Sequence, residues 1–371
     1  MFGGKRHLAL AVPLIRGAAR AWPSPFDRAV EEVVAQRGRQ VCVLASGDPY
    51  LYGVGSLLAR HVEPAETIVV PAPSAFSLAA ARLGWPLPDV AQVSLHGRAL
   101  ERVRPHLQPG TKVLALTSDS DGPAALAQLL TASGFGASKL IVLEALGGSR
   151  ERVRTATAAG FDFSKVDPLN LVAIEVTAVA NARVLARAPG LADDLYEHDG
   201  QLTKREIRAV TLSALAPRRH ELLWDIGAGA GSVAIEWMLA DPSLGAIAVE
   251  ARPDRAARIR RNAAALGVPD LEVIEGTAPA ALKELRLPDA IFIGGGASDP
   301  GVIEHAVAAL RAGGRLVINA ITTESEALLL ARHATLGGSL TRVAIARAEP
   351  VGGMTGWRPA LPVTQWMWTK Q

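Results

Sequence analysis

The sharpest chemical signal in the sequence is Leu223-Trp224-Asp225-Ile226-Gly227-Ala228-Gly229-Ala230-Gly231-Ser232. A hydrophobic strand runs into a G-x-G-x-G turn, and a helical pattern opens behind it. Glycines at such a turn supply backbone with positive φ and let a ligand come close to the main chain. The next strand-like run ends in Glu250. A carboxylate at that place can accept hydrogen bonds from both hydroxyls of a ribose, as in doubly wound folds. The chemistry is therefore that of a nucleotide-containing cofactor, and two kinds compete. A dinucleotide site wants G-x-G-x-x-G with the pyrophosphate on the helix N-terminus. Here the third glycine comes one residue early, and Ser232 holds the dinucleotide position.

Further pieces lie at the ends of later strand-like runs. Gly276-Thr277-Ala278 follows the third. Asp289-Ala290-Ile291-Phe292-Ile293 runs into the triplet Gly294-Gly295-Gly296. By spacing alone that triplet reads equally as a flexible turn or as an open floor for a bulky flat substrate. Leu202-Thr203-Lys204-Arg205-Glu206-Ile207-Arg208 opens this half, and Thr203 with Glu206 three residues on predicts a capping box. Arg252, Arg255, Arg258, Arg260 and Arg261 predict a basic, solvated helix face.

These motifs resemble the class I methyltransferases that use S-adenosylmethionine (SAM). "LTKREIRA", "DIGAGAGS" and "IFIGGG" together are similar to the decarboxylating precorrin methyltransferases of cobalamin biosynthesis. That resemblance implies a Rossmann-like fold. It implies a SAM site at Thr203, Asp225, Gly227, Ala228, Gly229, Ala230, Gly231, Glu250, Thr277 and Ala278, with substrate over Gly294, Gly295 and Gly296.

In the first half, Ala45-Ser46-Gly47-Asp48-Pro49-Tyr50-Leu51-Tyr52-Gly53-Val54-Gly55 follows a buried-looking run. Its local reading is a turn and helix start, with Asp48 as cap and Pro49 at the first helical position. Pro71-Ala72-Pro73-Ser74, "SLHGR" at 94–98, "LTSD" at 116–119 and "EALGG" at 144–148 follow in order. This order resembles the tetrapyrrole methylase family, whose SAM site is built from loops and backbone. The resemblance implies cofactor contacts at Gly47, Asp48, Pro49 and Ser74, and substrate contacts at His96 and Arg98. The family's usual first strand and glycine-rich loop have no counterpart before Met1-Phe2-Gly3-Gly4, so the expected fold lacks its first strand.

The elements that must position these residues alternate short β-branched runs with Ala/Leu/Arg-rich stretches, an α/β pattern that favours mostly parallel sheets. Strands are expected at 41–45, 67–70, 112–117, 139–144 and 169–176, with helices at 53–61, 75–83 and 123–133. A composition shift at 187–201 marks a linker. The expected division is a tetrapyrrole methylase domain over 1–190, a linker over 191–201 and a class I methyltransferase domain over 202–371. In the second part, strands are expected at 221–226, 246–250, 271–275, 289–293 and 315–320. The runs 339–347 and 360–370, with a Gly/Pro loop between them, predict an antiparallel pair closing the sheet.

The bulk numbers exclude several classes. Hydrophobic residues make up 49% and charged residues 20% of 371, which suits a folded globular chain. The formal charge of +3 is spread arginine, compatible with an anionic small substrate and weak support for nucleic acid. Cys42 is the single cysteine, so no internal disulfide or cysteine zinc site is expected. The eight histidines show no metal-ligand spacing, and no metal is expected. The apolar run near the start is broken by Pro13 and followed by Arg16 and Arg20, so it reads as a folded segment. No run approaches a membrane span. A cytoplasmic enzyme is expected, with no nucleic-acid or membrane partner and, from the resemblance, a homo-oligomeric state.

The combined resemblance implies methylation of precorrin-6B at C5 and C15, with loss of the ring C acetate carboxylate, giving precorrin-8. The C-terminal half is linked to C15 and decarboxylation, the N-terminal half to C5. Meso carbons of such a substrate are enamine-like, so alignment and water exclusion carry the chemistry. That fits a sequence without a strong acid/base motif; no catalytic residue is assigned, and Glu304 and His305 are candidates by position only. Rival readings are a class I methyltransferase acting on RNA or protein, and a SAM-binding protein with a degenerate first half. A dehydrogenase is disfavoured by Ser232.

Overall fold

The computed structural model describes residues 1–23 and 26–371. They form two compact units: Met1–Arg98 with Pro109–Ala182, and Ala99–Gln108 with Arg183–Gln371.

In the first unit, β1 (Phe2–Gly3) pairs in parallel with β2 (Arg20–Ala21). The main sheet holds β3 (Val90–Ser94), β4 (Lys112–Leu116), β5 (Lys139–Glu144), β6 (Arg152–Thr157) and β7 (Asn170–Glu175), in the order β3-β4-β7-β5-β6. Only β3 and β4 run parallel; the other pairs are antiparallel. The expectation of a mostly parallel sheet fails here for a geometric reason. Residues 145–151 are too few for a crossover, so β6 folds straight back on β5. The expected strand at 41–45 is reduced to a bridge between Val43 and Phe2. Residues 67–70 pair with no strand among the described residues, and Ile68 is 95% exposed. A β-branched run becomes a strand only where a neighbour takes its backbone groups.

The second unit carries β8 (Leu222–Ile226), β9 (Gly245–Glu250), β10 (Glu272–Glu275), β11 (Ala290–Ile293), β12 (Arg315–Ala320) and β13 (Ser339–Val343). Then come β14 (Ala346–Val351), β15 (Met354–Pro359) and β16 (Val363–Thr369). Seven of them form one sheet, β10-β9-β8-β11-β12-β16-β13. The first five are mutually parallel; β16 is antiparallel to both β12 and β13, as the closing pair expected from sequence. Both faces are buried. Leu222, Trp224 and Ile226 point into one apolar cluster, and Leu223 into the other. That is why these strands read as continuous apolar runs. The expected Gly/Pro loop is instead a hairpin, β14–β15, turning at Gly352-Gly353.

The chain order reverses between β8 and β11, which neighbour each other while β9 lies on the far side of β8. Ligands of open α/β sheets sit in the crevice at the carboxyl ends of strands at such a switch point. The stretch 191–201, expected to be a linker, is packed. Leu191 and Tyr196 belong to the core of this unit. Gly190 N, Leu191 N and Tyr196 OH all donate to the buried Glu236 carboxylate, at 2.6, 2.9 and 2.9 Å.

Candidate active sites

The turn after β8 uses its glycines as backbone. Gly227, Gly229 and Gly231 have φ of 68, 59 and 76°, where a side chain is strained. An ideal Cβ on Gly231 would lie 2.7 Å from the Ile259 side chain, so the third glycine also lets helix Pro253–Ala265 close in. Glu250, 5% exposed at the end of β9, accepts from Gly229 N at 2.9 Å and Arg252 N at 3.1 Å. Each carboxylate oxygen retains a lone pair for a further donor.

Gly227, Gly229 and Glu250 border a cavity of about 670 Å³ at the switch point. It brings together Thr203, Gly227, Ala228, Gly229, Glu250, Thr277, Ala278 and Gly294 to Gly296 from the sequence expectations. Asp225, Ala230 and Gly231 do not line it. Asp225 is 1% exposed; its Oδ2 accepts from Ala234 N at 3.1 Å, holding helix Ser232–Ala240 against the strand, and its Oδ1 has no partner among the described residues. Burial, opposed by the Ala234 N–H and aided by the Glu250 charge, raises its pKa to about 7.

The entry segment is held from two sides. Arg208, fully buried, donates to Glu236 at 2.6 Å and to Thr203 O at 2.5 Å, and also to Leu191 O. Asp199 accepts from Arg255 at 2.9 Å; that bond leads the contributions holding its carboxyl well below the usual range. The expected capping box does not form: Lys204 is the N-cap of helix Arg205–Leu215, with no side-chain cap. Glu206 pairs with Arg347 of β14 instead. Thr203 thus faces the cavity. The basic helix face is ion-paired throughout: Arg252 to Asp254, Arg255 and Arg258 to Asp199, Arg260 to Glu275, Arg261 to Glu197.

The cavity's other wall carries no local sequence signal. Lys204, Asp299, Asn319, Ile321, Arg347 and Leu361 line it, gathered from positions far apart in the chain. Ile321 and Leu361 are 60% and 72% exposed, an apolar rim beside cations. Glu304 and His305 are elsewhere. Glu304 pairs with Arg332, and His305 stacks on Trp224 with centroids 6.4 Å apart.

The first unit has its own cavity, of about 530 Å³. Gly47, Ser74, His96 and Arg98 line it; Asp48 and Pro49 do not. Gly47, at φ 61°, lies against the Pro73–Ser74 backbone, where a Cβ would sit 3.0 Å from Pro73 O. Ser74 caps helix Ala75–Leu83 through Ser77 N at 3.1 Å. Asp48 makes a local turn, accepting from Tyr50 N at 2.8 Å, and the helix starts later, at Val54–Leu58. Gly53 and Gly55 are needed because the Pro49 carbonyl lies 2.5 and 2.6 Å from where their Cβ atoms would be. Arg98 lies over the Tyr52 ring at 5.7 Å. Arg6 and His7, which sequence reasoning did not single out, also line this cavity and contact Ser46 at 3.1 and 2.6 Å.

Residues 194–370 match the family model described as precorrin methyltransferase domain, and residues 16–162 the model for tetrapyrrole (corrin/porphyrin) methylases. The chain is 63% identical over 370 residues to a precorrin-6Y C(5,15)-methyltransferase [decarboxylating] from Sinorhizobium sp, covering 100% of this chain and 90% of that one. It is 42% identical over 376 residues to the Mycobacterium tuberculosis H37Rv protein of the same description, covering 100% and 93%. A crystal structure of the C-terminal domain of the Rhodobacter capsulatus precorrin-6Y C5,15-methyltransferase is 48% identical. The match covers 50% of this chain and 100% of that one, with a TM-score of 0.48.

Proposed function

The chain belongs to the decarboxylating precorrin-6Y C5,15-methyltransferases of cobalamin biosynthesis, and from that premise we propose that its two cavities are two SAM sites acting on one reduced tetrapyrrole. The substrate is precorrin-6B, methylated at C5 and C15 with loss of the ring C acetate carboxylate, and the product is precorrin-8. The C-terminal cavity serves C15 and the decarboxylation; the N-terminal cavity serves C5. Functionally the chain divides into residues 1–190 and 202–371, with 191–201 packed into the second part. It acts in the cytoplasm as a homo-oligomer; no helix among the described residues is long and apolar enough to cross a membrane.

The observation that carries this reading is the glycine turn with Glu250. Side chains at Gly227 and Gly231 would strike Gly295 and Ile259 and strain the turn, and the nearly buried Glu250 carboxylate borders the cavity beside it. That cradle fits SAM. When bound, SAM supplies an electrophilic methyl on a sulfonium. The residues of the chain do the rest. Glu250 orients the ribose, and Thr277 and Ala278 flank the adenine. Thr203 closes the near side, and Gly294 to Gly296 leave a flat face for the macrocycle. Lys204 and Arg347 face substrate carboxylates. Ile321 and Leu361 cover apolar ring edges and exclude water, which leaves an enamine-like meso carbon aligned with the methyl. In the other cavity, Gly47 and Ser74 bring backbone to the cofactor, and His96 and Arg98 face the substrate.

Equilibrium dialysis with labelled SAM tests the two-site reading. Two equivalents per chain support it. A single equivalent that disappears in Glu250→Ala would remove the N-terminal cavity as a SAM site.

A further inference from the structure

Decarboxylation requires a proton that no motif assigns. Three carboxylates line the C-terminal cavity: Glu206, Glu250 and Asp299. Glu206 is paired with Arg347, and Glu250 accepts from Gly229 N and Arg252 N. The Asp299 carboxylate makes no hydrogen bond or ion pair among the described residues, and it is exposed. Its position is built. Gly296, at φ 77°, turns the chain, and Asp299 N donates to Gly296 O at 3.1 Å. Asp299 O in turn accepts from Val302 N, at the start of helix Val302–Ala309. A Cβ on Gly296 would lie 3.1 Å from Asp299 Oδ2, so that glycine keeps the carboxylate against the edge of the glycine face.

Resting on the reading that the macrocycle lies over that face, we propose that Asp299 is the proton donor that completes decarboxylation. Among the described residues, no histidine, tyrosine or cysteine lines this cavity. A cation beside the departing carboxylate would stabilise it as an anion and oppose loss of carbon dioxide, so Lys204 and Arg347 suit the acetates that are kept. The acetate enters the step ionised, because only the ionised form loses carbon dioxide, and Asp299 enters it as the acid, carrying a proton taken from solvent. The bond between the acetate CH₂ and its carboxylate carbon then breaks, and its electron pair enters the conjugated macrocycle. The pair returns to the CH₂ carbon as that carbon takes the Asp299 proton and becomes CH₃. Solvent reprotonates the exposed Asp299. The sum is one acetate carboxylate and one proton converted to one methyl group and one carbon dioxide.

The test is Asp299→Asn in the full chain, with precorrin-6B and SAM, read by mass spectrometry. The ratio of decarboxylated to non-decarboxylated methylated product should fall about 100-fold or more, the scale of a lost general acid. SAM affinity by calorimetry should stay within about threefold, because Asp299 lies on the substrate side. Asp299→Glu should recover part of the ratio, which a purely structural role would not predict. Wild-type decarboxylation by a folded, SAM-binding Asp299→Asn would overturn the assignment of Asp299 alone. A wild-type chain that binds SAM but gives no methylated product would overturn the underlying reading, and the assignment with it.

Discussion

Gly227 and Gly295 meet backbone to backbone: an ideal Cβ on Gly227 would sit 2.6 Å from the Gly295 carbonyl oxygen and 2.8 Å from its nitrogen. The glycine turn after β8 and the glycine triplet after β11 are therefore one surface. The relationship is not symmetric. A Cβ on Gly295 would meet Gly227 O and Cα at an ordinary 3.8 and 3.9 Å. Gly227→Ala combines a clash with a positive φ and should cost about 1–3 kcal/mol of stability and weaken SAM binding. Gly295→Ala should leave stability within about 0.5 kcal/mol and SAM affinity nearly unchanged. Its methyl would nevertheless stand on the face assigned to the macrocycle, so KM for precorrin-6B should rise. Melting curves, calorimetry and steady-state kinetics on both variants check this; unchanged kinetics in Gly295→Ala would move the substrate off that face.

Glu250 is asked to hold both the turn, through Gly229 N, and the ribose of SAM. Glu250→Gln keeps one acceptor and loses the charge. SAM affinity should fall about 10- to 100-fold, the range for one or two charge-assisted hydrogen bonds. Isothermal titration measures it directly.

Asp225 makes stability depend on pH in a defined window. Its folded pKa, raised to about 7 chiefly by burial, lies above the ordinary 3.8. Between about pH 4 and pH 7 the unfolded chain releases this proton while the folded chain keeps it, so stability is lost as pH rises through that window and levels off above it. The contribution is on the order of a few kcal/mol. Asp225→Asn does not titrate, and its amide oxygen can still accept from Ala234 N. Relative to wild type, this variant should gain stability between pH 5 and pH 8 in denaturant titrations. Parallel curves would mean that Asp225 is already ionised in the folded chain.

Arg208 and Glu236 lie 2.6 Å apart with almost no solvent exposure. Arg208→Met fills the volume but strands the Glu236 charge, a loss of about 3–5 kcal/mol. It also releases Thr203 O, so SAM affinity should fall together with stability. Adding Glu236→Gln removes the stranded charge and keeps an acceptor oxygen for Leu191 N and Tyr196 OH, while Gly190 N loses its acceptor. The double variant should regain part of the stability, as read by chemical denaturation.

The C-terminal site was legible where each piece follows its own strand: Gly227 to Gly229 after β8, Glu250 at the end of β9, Thr277 and Ala278 after β10, Gly294 to Gly296 after β11. The hidden parts depend on contacts between distant residues. Arg347 meets Glu206 from 141 residues away, and no local pattern announces it. Whether Asp225 faces the cavity or the helix behind it depends on the path of the turn, which spacing does not encode. Thr203 and Glu206 satisfied the capping pattern, but a long-range ion pair outcompeted it. In the N-terminal unit, β-branched residues at 41–45 and 67–70 expressed a local preference that tertiary pairing did not use. "SGDPYLYGVG" has the residues of a helix start, whereas its glycines make room for the Pro49 carbonyl.

Mass spectrometry of precorrin-6B incubated with the chain and SAM tests the two-site reaction as a whole. The expected product carries two added methyl groups and lacks one carbon dioxide. Unchanged precorrin-6B, in a sample where SAM is demonstrably bound, would contradict that reaction.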